Sequence, residues 1–284
     1  MRARWLFVLL AAVVAAAPLA AQRLTFTARK DIVRVDVLVA EAGQPVRGLA
    51  VTDFDVFDNG IRQRVELMSA ESTPVDAILT FDLSGSVAGD LLGRLKRAGN
   101  AVLSALTDRE QAALITFSRS ILLESALTHD RQRVRDALDS VQSSGDTALI
   151  DASYAALVLG ESDSGRGVVI VFSDGLDSAS WLSAAAVLDT ARRTNTVVYA
   201  VSTAELPRAS FLRDLTTATG GTLFEVDSTN DLDALFVRVL NEFRQRYLLS
   251  YSPQDVPPEG SHKIEVRVHS HPGATVKARP GYVR

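Results

Sequence analysis

The amino-acid sequence predicts an α/β fold: a doubly wound, mostly parallel six-stranded sheet flanked by helices. A small accessory β unit is expected from the N- and C-terminal segments. Three observations predict this. Short runs rich in Val, Ile and Phe recur in the middle of the chain without polar alternation, as strands buried on both faces of a parallel sheet require. Helix-length stretches separate them, which is the order of repeated βαβ units. Towards both ends the pattern changes to period two, the signature of sheets with one wet face.

Taken in order, residues 1–21 read as an export signal. Arg2 and Arg4 precede an apolar run from Trp5 to Val14, and small residues follow through Pro18 to Ala21. The run is shorter than the ~20 apolar residues that span a bilayer. Cleavage is expected after Ala21, leaving no stable membrane span in an exported, periplasmic or secreted chain. The chain has no cysteine, so a disulfide, a thiolate metal site, a cysteine nucleophile and a lipidated N-terminal cysteine are all excluded.

Residues 22–73 form the expected N-terminal β segment. Val33, Val35, Val37 and Val39 fall on one face at period two. "EAGQPVRG" and "DNG" are turn signals, and Asn59–Gly60 suits a tight hairpin. Residues 74–247 form the α/β domain. Five strand-like runs are evident: "DAILTFDLS", "QAALITFS", "GVVIVFSDG", "TVVYAVST" and "TLFEVD". The intervening helices are "AGDLLGRLKRAGNAVLSAL", "DRQRVRDALDSV", "TALIDASYAALVLGES", "SWLSAAAVLDTARRT", "ASFLRDLTTATG" and "DLDALFVRVLNEFRQR". Residues 248–284 return to strand-like patterns, interrupted by the turn-rich "PQDVPPEGS". Each β segment is too small to fold well alone, so the two are expected to pack together.

Charge narrows the function classes. The net charge is −4, and loss of residues 1–21 removes two arginines and no acid. An acidic chain argues against a nucleic-acid surface.

In open α/β sheets, ligands sit beyond the carboxyl ends of the strands. There the first strand ends in Asp82-Leu83-Ser84-Gly85-Ser86. Neither Gly-rich nucleotide loop, G-x-G-x-x-G or G-x-x-x-x-G-K-[ST], follows it. A serine-hydrolase elbow would need G-x-S-x-G and a histidine base. Three of the four histidines, His262, His269 and His271, lie in the C-terminal β segment. What remains is one carboxylate and two hydroxyls, hard donors that suit Mg²⁺, Mn²⁺ or Ca²⁺. The competing explanation is that Ser84 or Ser86 caps the following helix. Two further stretches share this edge. "GVVIVFSDG" ends in Asp174-Gly175, and "SSGDTALIDA" sets Thr147 before a helix. Each also reads as ordinary turn or cap chemistry.

Asp-x-Ser-x-Ser, then Thr, then Asp-Gly, in this order, resembles the von Willebrand factor type A domain over about residues 74–247. That resemblance implies a metal-ion-dependent adhesion site. Ser84, Ser86 and Thr147 would be hydroxyl ligands of Mg²⁺, with Mn²⁺ or Ca²⁺ as alternatives. Asp82 and Asp174 would act directly or through water. It implies a non-enzymatic binding module that captures an Asp or Glu carboxylate of a protein partner. The flanks, "GQPVRGLAVTDFDVFDNGIRQRVELM" and "YLLSYSPQD…HKIEVRV…VKARPGY", look like the acidobacterial-type group of exported bacterial type A domain proteins. Two other readings remain, a metal-assisted hydrolase and a structural envelope component with an idle site. The first needs a general base beside the metal, and no His, Lys or Glu occurs in the three site loops.

Other conspicuous residues have plainer expectations. His269 and His271 share a strand face and lack a third ligand. Asp177 is a loop acid near Asp174. Asp53, Asp55 and Asp58 lack calcium-loop spacing. Arg244 and Arg246 favour the carboxyl end of the last helix.

Overall fold

A computed structural model describes residues 32–284 except 69–72, 162–164, 175 and 204–208. The export signal read in residues 1–21 lies outside the described residues.

The first β segment comprises β1 (Val33–Glu41), β2 (Gln44–Pro45), β3 (Phe54–Asp58), β4 (Ile61–Gln63) and β5 (Val65–Met68). The α/β region follows with β6 (Val75–Asp82), α1 (Asp90–Ala105), β7 (Gln111–Phe117), β8 (Ile121–Thr128), α2 (Arg131–Ser140) and α3 (Leu149–Gly160). It continues with β9 (Arg166–Ser173), α4 (Ala184–Arg193), β10 (Val197–Ser202), α5 (Ser210–Thr219), β11 (Leu223–Glu225) and α6 (Leu232–Arg244). The chain closes with β12 (Tyr247–Tyr251), β13 (Ser261–Val268), β14 (Thr275–Lys277) and β15 (Gly281–Val283).

The central sheet has the order β11-β10-β9-β6-β7-β8, parallel throughout except for β8. Five strands coincide with the continuous apolar runs. The sixth, β8, was not among those runs, because only Ser125 is buried along it. As an antiparallel edge strand it is paired on one side only, and its apolar start, Ile121–Leu123, is interrupted by Glu124 and Ser125 and stays largely exposed.

Side-chain alternation divides the sheet between two cores. Ala77, Leu79 and Phe81 of β6 and Val168, Ile170 and Phe172 of β9 pack with α1, α2 and α6. Ile78, Val169 and Val171 face the opposite way, towards α3, α4 and α5. Tolerances are tight at crossings. A Cβ on Gly99 of α1 would lie 2.7 Å from Leu138 and 3.1 Å from Phe81, so only glycine lets the helix sit so low.

The two β segments interleave as anticipated. One antiparallel sheet has the order β14-β1-β12-β5, with β2 added to β1, and the other β15-β13-β3-β4. Val35, Val37, Phe54, Val56, Leu249 and Ile264 are buried between them. The aspartates of the first segment have structural work. Asp53 accepts the Ala50 N–H at 2.7 Å, and Asp55 pairs with Arg62 and with His269 at 2.8 Å. Asp58 is buried and takes three donors: Tyr251 at 2.9 Å, Tyr282 at 2.8 Å and His262 Nδ1 at 2.8 Å. His271 contacts Glu41 instead of sharing a ligand with His269.

Candidate functional site

Strand order decides which loops meet. β6 is central, and the chain leaves it first towards β7 and later returns on its other side as β9. That reversal is the switch point where the carboxyl ends of neighbouring strands open a crevice. Phe81 of β6 is in register with Phe172 of β9, so the residues beyond them, Asp82 and Ser173, end side by side. Ser173 Oγ donates to Asp82 Oδ2 at 2.7 Å. Asp174 is the next residue.

The Asp-x-Ser-x-Ser loop folds on its own carboxylate. Asp82 Oδ1 accepts the Ser84 N–H at 2.9 Å, and the Ser84 and Ser86 hydroxyls lie 3.0 Å apart. Neither serine caps α1, whose N-terminal residue is preceded by Gly89 at φ 70° with no side-chain cap. The loop before α3 is stitched alongside: Gly85 N–H donates to Gly145 O at 3.0 Å, and Ser144 N–H donates to Leu83 O at 2.7 Å. Thr147 is thereby brought to the same edge. Its carbonyl accepts from Ser178 and Ala179 N–H at 2.9 and 3.0 Å, and its own N–H donates to Ser178 Oγ at 3.1 Å. Three loops distant in sequence therefore join at one edge.

Burial is graded across this edge. Asp82 is 0% exposed, Ser84 and Thr147 are buried, Asp174 is partly exposed and Ser86 is open to solvent. Burial pushes the Asp82 carboxyl above its ordinary range, and the nearby Asp174 charge pushes the same way. Hydrogen bonds from Ser84 and Ser173 oppose that rise. Among the described residues, no Lys, Arg or His forms an ion pair with Asp82 or Asp174. Two like charges facing neutral oxygens form a donor set that fits a hard divalent cation. No group of three His, Asp or Glu side chains suited to a metal occurs among the described residues. The set at this edge contains hydroxyls instead.

Three residues that sequence reasoning passed over hold the site in shape. Ser173 was read as part of a turn, although strand parity places it beside Asp82. Asp151 accepts the Trp181 and Leu182 N–H groups at 2.9 and 2.8 Å. Ser180, expected at the start of a helix, is in the loop. Its Oγ accepts the Asp151 N–H at 3.1 Å and donates to Asp177 at 2.5 Å. Helix α4 begins only at Ala184, because Ser183 caps it by accepting the Ala186 N–H. Asp177 also accepts the Ile150 N–H at 3.2 Å, so the loop after β9 caps the start of α3.

A doubly wound sheet with a carboxylate–hydroxyl cleft at its switch point defines a class of α/β domain. The chain belongs to the von Willebrand factor type A domain family, whose model matches residues 76–238. Solved structures share the fold at low identity. A von Willebrand factor type A protein from Catenulispora acidiphila is 14% identical, with a TM-score of 0.55 over 81% of this chain and 73% of that one. Proximal thread matrix protein 1 from the mussel byssus is 19% identical, with a TM-score of 0.53 over 65% of this chain and 49% of that one. The PilB minor pilin of Streptococcus sanguinis, as a D319A mutant, is 11% identical, with a TM-score of 0.51 over 61% of this chain and 62% of that one. No curated protein matches the sequence.

Proposed function

We propose that this protein is an exported, non-enzymatic protein-binding module that captures an acidic side chain of a partner through a divalent cation. The observation that carries this reading is the buried Asp82 carboxylate beside Asp174, without a basic partner among the described residues and ringed by hydroxyls. Ser84, Ser86 and Thr147 would hold Mg²⁺, or the similarly hard Mn²⁺ or Ca²⁺. Asp82 and Asp174 would meet it directly or through water. When bound, the ion supplies a Lewis-acidic position for a carboxylate from outside. The protein's part is to bind and orient. Ser173 and the Ser84 N–H fix both oxygens of Asp82. The bonds between Gly85 and Gly145 and between Thr147 and Ser178 fix the hydroxyl-bearing loops.

A carboxylate contact in such a partly dehydrated cleft is worth more than a surface ion pair. The family supports a binding role, and the basic–apolar–small pattern of residues 1–21 supports export to the periplasm or beyond. No described helix is long and apolar enough to cross a membrane. The test is capture of partners from the native envelope in Mg²⁺ and in chelator, with wild type and Asp82→Ala. Capture is expected only for wild type in Mg²⁺. Undiminished capture in chelator would move the binding surface away from this edge.

A further inference from the structure

We propose that Trp181, with Leu176 and Leu182 in its loop and Tyr154 and Val158 on α3, forms the specificity surface of this site. It takes a partner segment in which an Asp or Glu is accompanied, within a few residues, by a large apolar side chain. This rests on the reading of the cleft as a carboxylate-capturing site.

Trp181 is 96% exposed. A lone exposed apolar side chain is ordinary, but a contiguous group marks an interaction surface. Five of the nine exposed large hydrophobic residues among those described belong to this loop and helix. The exposure is not that of a loose loop. Asp151 accepts the Trp181 and Leu182 N–H groups, while Asp177 and Ser180 accept the amides of Ile150 and Asp151. The loop is locked to α3 and presents its indole outward. A loop whose backbone is already fixed loses less entropy on binding, and Trp and Tyr dominate binding hot spots. Asp151, Tyr154 and Val158 follow at spacings of three and four, so they share one face of α3. The Trp181 and Leu182 backbone is tied to the start of that face through Asp151, which sets the exposed apolar residues of the loop next to those of the helix.

Its distance from the cleft is bounded by the chain. Trp181 is three residues from Ser178, whose hydroxyl accepts the Thr147 N–H. Three residues span at most about 10 Å. Trp181 is therefore within reach of the side chains that neighbour a carboxylate placed in the cleft.

Charge selects this occupant over the others. Asp151 and Asp177 lie within the loop–helix contact, Asp174 opens the loop, and residues 174–183 contain no Lys or Arg. That field repels an anionic bilayer. It also opposes a second copy of the chain, whose own acidic edge would face the first. A single carboxylate directed at the cation's position, followed by apolar side chains, meets both features.

The probe is a random-peptide phage library selected on the immobilised full chain in Mg²⁺, followed by binding of the synthesised consensus peptide. Wild type is expected to enrich peptides that combine Asp or Glu with a large apolar residue. Trp181→Ser is expected to weaken the consensus peptide about thirtyfold, as loss of a hot-spot anchor does. It should leave the Mg²⁺-induced rise in melting temperature unchanged. Tyr154→Ser should weaken binding in the same direction.

Enrichment of acidic peptides without apolar preference, or equal affinity of Trp181→Ser, overturns the proposal while leaving the cation site standing. Binding that survives chelator and Asp82→Ala but is lost in Trp181→Ser keeps the surface and overturns the cation reading. No enrichment in Mg²⁺ overturns both. A Trp181-dependent association with anionic vesicles, or Trp181-dependent self-association, assigns the patch to lipid or to a second copy and overturns the proposal.

Discussion

The two ends of the central sheet treat their polar groups in opposite ways. β6 and β9 are eight residues long, so the ends are roughly 25 Å apart. At the amino end, Arg166, the first residue of β9, pairs with Asp36 of β1, with Nε–Oδ1 at 3.0 Å, both side chains buried. Arg246 is fully buried just beyond α6. Its guanidinium donates to Tyr199 Oη at 2.9 Å, Gly220 O at 2.7 Å and Asp36 O at 3.3 Å. The sequence suggested only a favourable charge at a helix end, but Arg246 ties α6, α5, β10 and β1 together. Arg279 adds a bond to Thr194 O at 2.8 Å, and Arg244 grips Glu110 through two contacts.

At the carboxyl end, Asp82 is equally buried and has hydroxyl and amide donors but no cation. A carboxylate completed by arginine joins elements. Asp82 has no basic partner among the described residues and lies near a second carboxylate, which is the arrangement the proposed cation reading draws on. The difference sets the arginine-completed network of one end apart from the hydroxyl- and amide-bonded carboxylate of the other.

The largest effect should therefore arise at the amino end. Asp36→Ala leaves Arg166 buried without its partner, and breaking a buried pair costs about 3–5 kcal/mol. Urea unfolding should show a loss of that order, while Mg²⁺ should still raise the melting temperature of the folded fraction. A loss below about 1 kcal/mol would mean that the network does not hold the β unit to the α/β domain.

The carboxyl end should give a smaller effect of opposite kind. Mg²⁺ at a free concentration about 100 times its dissociation constant should stabilise the protein by about 2.7 kcal/mol, because it binds the folded state preferentially. Asp82→Ala should abolish this shift in thermal unfolding. It should lower metal-free stability less than Asp36→Ala does, since it removes the acceptor of Ser173 Oγ and the Ser84 N–H but leaves no buried charge without its partner. If both variants unfold alike without metal, the contrast between the two ends fails.

The smallest effect concerns pH. Burial raises the Glu110 carboxyl, but hydrogen bonds and charge from Arg244, with hydrogen bonds from Thr107, outweigh it and hold the carboxyl below its ordinary 4.5. A carboxyl lowered by folding stabilises the protein above its unfolded-state value and loses that contribution as the pH falls through its folded-state value. Acid titration of stability should thus be shallower below about pH 4.5 in Glu110→Gln than in wild type. Identical profiles would place the acid sensitivity elsewhere.

Much of the α/β region was legible in the sequence because its signals are local. Apolar runs of strand length, intervening amphipathic helices and the period-two flanks each report what a few consecutive residues bury. Strand-end position and residue type, also local properties, drew attention to Asp82, Ser84, Ser86, Thr147 and Asp174, but turn and cap chemistry explained each as well, and only the family resemblance joined them into one proposed ligand set. Edge strand β8 escaped, since Glu124 and Ser125 cut its apolar start to three residues. Trp181 was assigned to a helix because its neighbours suit one. Only the hydrogen bonds of Asp151, a residue thirty positions earlier, hold it in a loop.

From the residues alone came the five apolar strands and the helices between them, the acidic character of the chain and the oxygen-donor residues at strand ends. Tertiary structure alone decided that Asp82 lies beside Ser173, that Arg246 joins four elements and that Trp181 faces solvent. These depend on pairing across long sequence separations, where one buried polar group must find its partner. No window of neighbouring residues contains that information.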